Sequence, residues 1–178
     1  MRRFLGLMMA GMILFSSGCE RVTGLPAGGA VNRELTQAQR FKLKNIDGTV
    51  TDLSQVLMKK KLVLINFWAT WCGFCVEEMP DLVKLQKWHE GEGFTVVAVN
   101  SGESAHQAAA FAAKFRLNFP VVLDEDNEVS QSYGIVGIPV SYLVSSDGKI
   151  LGEYHGFTRR LVSDIKKNLQ SSQLPGTR

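Results

Sequence analysis

Two nearly continuous apolar runs constrain this chain more than any other feature. Residues 62–67 read LVLINF and residues 94–99 read FTVVAV. A strand covered on both faces carries such a run, whereas a half-buried strand alternates apolar with polar residues. Residues 74–90, between them, carry a helical pattern. Strand, helix and strand then follow within about forty residues, which is a βαβ unit with a parallel pair of strands.

The flanking sequence extends this unit into one α/β domain. Residues 41–43 and 49–51, joined by the turn Asn45-Ile46-Asp47-Gly48, predict a β-hairpin at the start of the domain. Residues 104–115 are Ala-rich and open on Ser104, a good helix cap. A short strand at 120–123 and a short helix at 127–133 come next. Residues 140–144 and 150–154 then form an antiparallel hairpin about the turn Ser145-Ser146-Asp147-Gly148. Thr158 caps a last amphipathic helix running to about residue 169. The prediction is a central mixed sheet flanked by helices over residues 35–172, followed by a tail at 173–178.

The first residues read as an address. Arg2 and Arg3 precede the apolar run 4–15, FLGLMMAGMILF. Twelve helical residues reach only about 18 Å, well short of a bilayer core of about 30 Å. An export signal over residues 1–18 fits better than a membrane span. The run exits through Ser16-Ser17-Gly18-Cys19, which resembles the bacterial lipobox, with Ser16 where Leu is usual. That resemblance implies a lipid on Cys19; an ordinary cleavage nearby would instead leave a free thiol. Residues 19–34 hold Gly24, Pro26, Gly28 and Gly29 without periodicity and read as a tether.

Of 20 basic and 17 acidic side chains, Arg2 and Arg3 lie in the leader, so the remainder is close to neutral. A nucleic-acid binder would concentrate basic charge on one face, and none is expected here. The chain has 3 cysteines, too few for a disulfide scaffold.

Two of them, in Trp71-Cys72-Gly73-Phe74-Cys75, stand where the first buried strand gives way to a helix. At a helix start, orphan N–H groups and the helix dipole stabilise negative charge, so the Cys72 thiolate is favoured. Cys75 lies one turn on, within reach of a mixed disulfide formed by Cys72. Other uses of the pair compete with this one. A zinc site needs two more ligands at matching spacing, and His89, His106 and His155 are scattered. Haem attachment needs His directly after Cys75, where Val76 stands. A purely structural disulfide closing so short a loop gains little.

A carboxylate accompanies the pair. At about 100° per residue, Cys75, Glu78, Leu82 and Leu85 share one flank of the helix, whereas Glu77, Asp81 and Lys84 share a polar one. Burial on the apolar flank raises the Glu78 pKa and fits it to take the Cys75 proton. Pro80, in the same helix, is expected to kink it.

The run from Asn66 to Cys75 (NFWATWCGFC) resembles the active site of the thioredoxin superfamily. Residues 137–144 (GIPVSYLV), followed by Asp147-Gly148, resemble that superfamily's cis-proline loop and closing hairpin. The helix and strand at 104–123, inserted between the βαβ unit and that loop, resemble the TlpA/ResA branch of membrane-tethered periplasmic oxidoreductases. The resemblance implies that Cys72 is the exposed nucleophile and Cys75 the buried resolving thiol. It also makes Glu78 the active-site acid and Pro139 a cis-proline facing the disulfide, with Ile138 offering its backbone to an extended client and Trp71 part of the docking surface. Two positions depart from thioredoxin itself: Asn66 replaces a buried Asp, and Phe74 replaces the Pro before the second cysteine.

These readings predict a protein-disulfide reductase that needs no cofactor and no metal. It is exported to the periplasm and lipid-anchored. By the resemblance its clients are protein thiols such as apocytochrome c, and its electrons come from a membrane thiol–disulfide donor. A disulfide oxidase or isomerase, a thiol peroxidase and a copper carrier are the alternatives. Against the peroxidase, no Pro-x-x-x-Thr-x-x-Cys run surrounds Cys72. The carrier wants a histidine near the thiols, a place only the fold can give to His155.

Overall fold

The structure, a computed structural model, describes residues 35–171. The expected leader, tether and tail lie outside the described residues, and so does Cys19. The chain opens with the hairpin β1 (Lys42–Lys44) and β2 (Val50–Asp52), then α1 (Leu53–Lys59). The central unit is β3 (Leu62–Trp68), α2 (Gly73–His89) and β4 (Phe94–Ser101). It continues through α3 (Ala105–Phe115), β5 (Val121–Asp124) and α4 (Glu128–Ser132) to β6 (Val140–Ser145), β7 (Ile150–His155) and α5 (Arg159–Ser171).

Five strands form one sheet in the order β5-β4-β3-β6-β7. The pairs β3–β4 and β4–β5 are parallel, whereas β3–β6 and β6–β7 are antiparallel. The mixed sheet, the first hairpin and the helix–strand insertion α3–β5 stand where the sequence places them.

The apolar run of β3 has a direct explanation. Leu62, Leu64 and Trp68 face a core shared with Met79, Leu82 and Leu85 of α2 and with Leu161, Ile165 and Leu169 of α5. Val63, Ile65 and Phe67 face the opposite core, with Leu53 and Leu57 of α1 and with Tyr133 and Tyr142. Every β3 residue is buried, because helices or loops cover both faces. Asn66 is the one polar residue among them.

Helix α1 is an element the sequence reading passed over. Its signals are nonetheless local: Asp52 Oδ1 accepts from the Ser54 N–H at 2.8 Å, and Leu53 and Leu57 are buried four residues apart. The predicted caps of the later helices are present. Ser104 and Gln107 form a capping box at α3, and Thr158 Oγ1 accepts from the Leu161 N–H at 3.1 Å. Helix α2 runs through Pro80 as one element, with the proline on its exposed side.

Candidate active site

The geometry of the cysteine pair follows from how β3 ends. After Trp68 the chain turns, with the Cys72 N–H donating to the Ala69 carbonyl at 3.2 Å, and α2 starts at Gly73. Cys72 is the N-cap of α2, and its Sγ accepts from the Cys75 N–H at 3.2 Å. The sulfur of the first cysteine thus sits at the positive end of a helix of 17 residues. Cys72 and Cys75 form a disulfide, with Cα atoms 5.2 Å apart.

The two sulfurs are not equally accessible. Cys75 is fully buried, and Cys72 keeps 7% of its surface. The nucleophile is therefore less exposed than the resemblance implies. The Ile138–Pro139 bond is cis, and Cys72 Sγ lies 3.6 Å from the Ile138 carbonyl oxygen.

Around this narrow opening the surface is apolar. Trp71 is 72% exposed, Phe74 76%, and Val136 is fully exposed. A groove of about 460 Å³ runs beside the cis-proline loop, lined by Phe74, Val136, Ile138, Pro139, Tyr142 and His155 among others. Of the residues expected to contact a client, Ile138 and Pro139 line it and Trp71 does not. Phe74, read from the sequence only as a replacement for Pro, forms a wall instead. His155 also lies on the groove, where its Nε2 is 3.1 Å from Glu153 Oε1. Among the described residues no three His, Cys, Asp or Glu side chains gather as metal ligands.

Glu78 lies where the helical arithmetic puts it. It is 5% exposed on the flank that carries Cys75, Leu82 and Leu85, whereas Glu77 is exposed. Burial pushes its carboxyl up to about 7, and a hydrogen bond from Asn66 acts in the opposite direction. That bond, from Asn66 Nδ2 to Glu78 Oε1, is 2.8 Å long, and the same nitrogen donates to Ser141 Oγ at 2.9 Å.

Sequence reasoning missed two supports of the site. Asn66 is the first: the sequence marks it only as standing in place of a buried Asp, although a polar residue inside an apolar run signals that a buried partner must exist. Glu103 is the second, and it is 5% exposed. Its Oε2 accepts from the Thr70 N–H and from Asn100 Nδ2, both at 2.7 Å, and its Oε1 accepts from Thr70 Oγ1 at 2.5 Å. This carboxylate anchors the turn that presents Cys72.

Chemically, the arrangement can exchange disulfides in two steps. The Cys72 thiolate attacks one sulfur of a client disulfide, forming a mixed disulfide and releasing the first client thiolate. Cys75 can then lose its proton, for which Glu78 on the same flank is the candidate acceptor, and attack Cys72. The internal disulfide forms, and the second client thiolate leaves.

Comparison with known proteins agrees with this chemistry. A family model described as the AhpC/TSA family matches residues 35–152. The thiol-disulfide oxidoreductase ResA of Bacillus subtilis is 32% identical over 151 residues, covering 84% of this chain and 83% of its own. The protein of the same name from Geobacillus thermodenitrificans is 34% identical over 134 residues, covering 75% of each chain. Among solved structures, a thiol:disulfide interchange protein of the thioredoxin family from Chlorobium tepidum superposes with a TM-score of 0.63 at 28% identity. It covers 76% of this chain and 94% of its own.

Proposed function

Given that this chain belongs to the AhpC/TSA family and is a thioredoxin-fold thiol–disulfide oxidoreductase, we propose that it reduces protein disulfides in the periplasm while tethered to a membrane through Cys19. The observation that carries exchange through the Cys72–Cys75 pair is Glu78; the reducing direction is drawn from the resemblance to the TlpA/ResA branch. A carboxyl with a pKa of about 7, one turn from the resolving cysteine, is a base for the step in which Cys75 closes the internal disulfide. That step leaves the client reduced and the enzyme oxidised. A membrane thiol–disulfide donor then restores the dithiol.

The exposed apolar rim of Trp71, Phe74 and Val136 suits an unfolded or extended protein client better than a small thiol. Apocytochrome c whose haem-binding cysteines have paired as a disulfide is such a client, a choice drawn from the resemblance to the TlpA/ResA branch.

The reduction potential of the Cys72–Cys75 pair tests the direction. It is expected nearer the thioredoxin value of about −270 mV than the DsbA value of about −120 mV. A potential at the oxidising end would make the protein an oxidase.

The anchor has its own test. Cys19→Ser is expected to move the domain from the membrane fraction to the soluble periplasmic fraction with its redox activity intact. Unchanged membrane association would show that Cys19 is not the anchor.

A further inference from the structure

We propose that Asn66 and Ser141 are positioning residues of the exchange reaction: Asn66 holds the Glu78 carboxylate on the Cys75 flank of α2 as an acceptor, and Ser141 holds the Asn66 amide. This inference rests on the reading of Glu78 as the proton acceptor of Cys75. Asn66 is fully buried, and Ser141 is 2% exposed. The two are register partners on β3 and β6, so the sheet itself sets their distance. One amide nitrogen carries two hydrogens, and both are used: one on Glu78 Oε1 at 2.8 Å, the other on Ser141 Oγ at 2.9 Å.

The ionised form of Glu78 only accepts, so the amide meets it through Nδ2, at 2.8 Å. Oδ1 is buried as well. The hydroxyl of Ser141 can accept the second hydrogen where an alanine would leave it unpaired. In effect, a neutral amide occupies the β3 position from which a carboxylate would compete with Glu78 for one proton.

Few other groups bear on Glu78. On α2 it shares its flank with Cys75, and Cys72 begins the same helix. Across the sheet the row continues from Asn66 and Ser141 to Tyr154 of β7, whose hydroxyl donates to Asp164 of α5 at 2.7 Å, with Arg160 beside it. In the oxidised protein burial raises the Glu78 carboxyl and the Asn66 hydrogen bond lowers it. Asn66 is therefore the lever on its ionisation.

The proton balance of the resolving step uses this directly. Cys75 loses a proton, Glu78 gains it, and the new Cys75–Cys72 bond displaces the client thiolate from Cys72. Asn66 favours the ionised carboxylate that starts the step. Removing its donor leaves less carboxylate available near neutral pH.

The test has two readouts on the full chain. The first is the Glu78 titration in the oxidised protein, followed by carboxyl NMR. The second is the pH profile of the slow thionitrobenzoate release when the reduced protein meets Ellman's reagent, which reports Cys75 resolving the Cys72 adduct. Asn66→Ala is expected to raise the Glu78 midpoint by about one pH unit, the worth of one hydrogen bond to a charged group. The resolution profile should move up with it, costing up to about tenfold in rate below the midpoint. Ser141→Ala should move both in the same direction by less, and it serves if Asn66→Ala fails to fold. In a Glu78→Gln background, Asn66→Ala should leave the resolution profile unchanged. An unmoved Glu78 midpoint in both variants overturns the proposal, as does an equal loss of rate at every pH that persists beside Glu78→Gln. A shifted midpoint with resolution insensitive to Glu78→Gln would instead overturn the role of Glu78, and this proposal with it.

Discussion

Cys72→Ser is expected to lower disulfide-exchange activity by on the order of 10³-fold or more, because among the described residues the only other cysteine is Cys75. Cys75 is fully buried and cannot replace it at the surface. Cys75→Ser should behave differently in kind. Cys72 still attacks, but nothing resolves the product, so mixed disulfides with client proteins accumulate on Cys72. In the reduced protein, an alkylating reagent should modify Cys72 before Cys75. The order follows from geometry: Cys72 is the N-cap and keeps 7% of its surface, and Cys75 faces the core of Met79 and Leu82. Trapping through Cys75, or its faster alkylation, would reverse the two roles.

The second large effect belongs to Glu78→Gln, and it runs in opposite directions for activity and stability. Without a titrating carboxyl, resolution of mixed disulfides should slow by about 10²-fold, in the range of one general base, and lose its pH dependence near 7. The exposed neighbour supplies the control, and Glu77→Gln should change neither. Stability should move the other way. The Glu78 pKa rises from 4.5 in the unfolded chain to about 7 in the fold, so the folded state binds this proton more tightly. The stability it contributes is whole below pH 4.5 and is lost as pH rises through about 7. Glutamine escapes that loss. Above pH 7 the variant should therefore be more stable than wild type by about 2–3 kcal/mol, with the gap closing toward pH 4. Equal stability at pH 8 and pH 4, measured by urea denaturation, would show that Glu78 is not held out of water at the cost its burial implies.

Such a cost makes sense only at a working site. A glutamine or a leucine at position 78 would fill the same flank without a buried titrating group. On the proposed reading, a carboxyl one turn from the resolving cysteine gives up folding stability for proton transfer.

Much of this protein is legible in its residues taken locally. The runs at 62–67 and 94–99, each with five apolar residues in six and rich in β-branched side chains, read as strands covered on both faces. The cysteines at a strand–helix junction specify a stabilised thiolate, and the 3.6-residue period alone separates buried Glu78 from wet Glu77. Even α1, passed over in the reading, has a local signature in Asp52, Leu53 and Leu57. These features depend on neighbours within one or two turns, and a linear sequence records such neighbours faithfully.

What only the tertiary structure decides is which distant groups meet. Asn66 and Ser141 stand 75 residues apart, and the antiparallel register of β3 on β6 makes them partners. Glu103 holds Thr70 across 33 residues because β4 delivers it beside the turn that ends β3. Phe74 and His155 border one groove although one begins α2 and the other ends β7. A one-residue slip in strand register would turn Asn66 or Ser141 to the opposite face and leave Glu78 without its donor. The sequence determined the elements and the reactive groups through their periods and caps. The sheet register determined how those groups are held, because hydrogen bonds require ångström-scale placement that only the packed fold supplies.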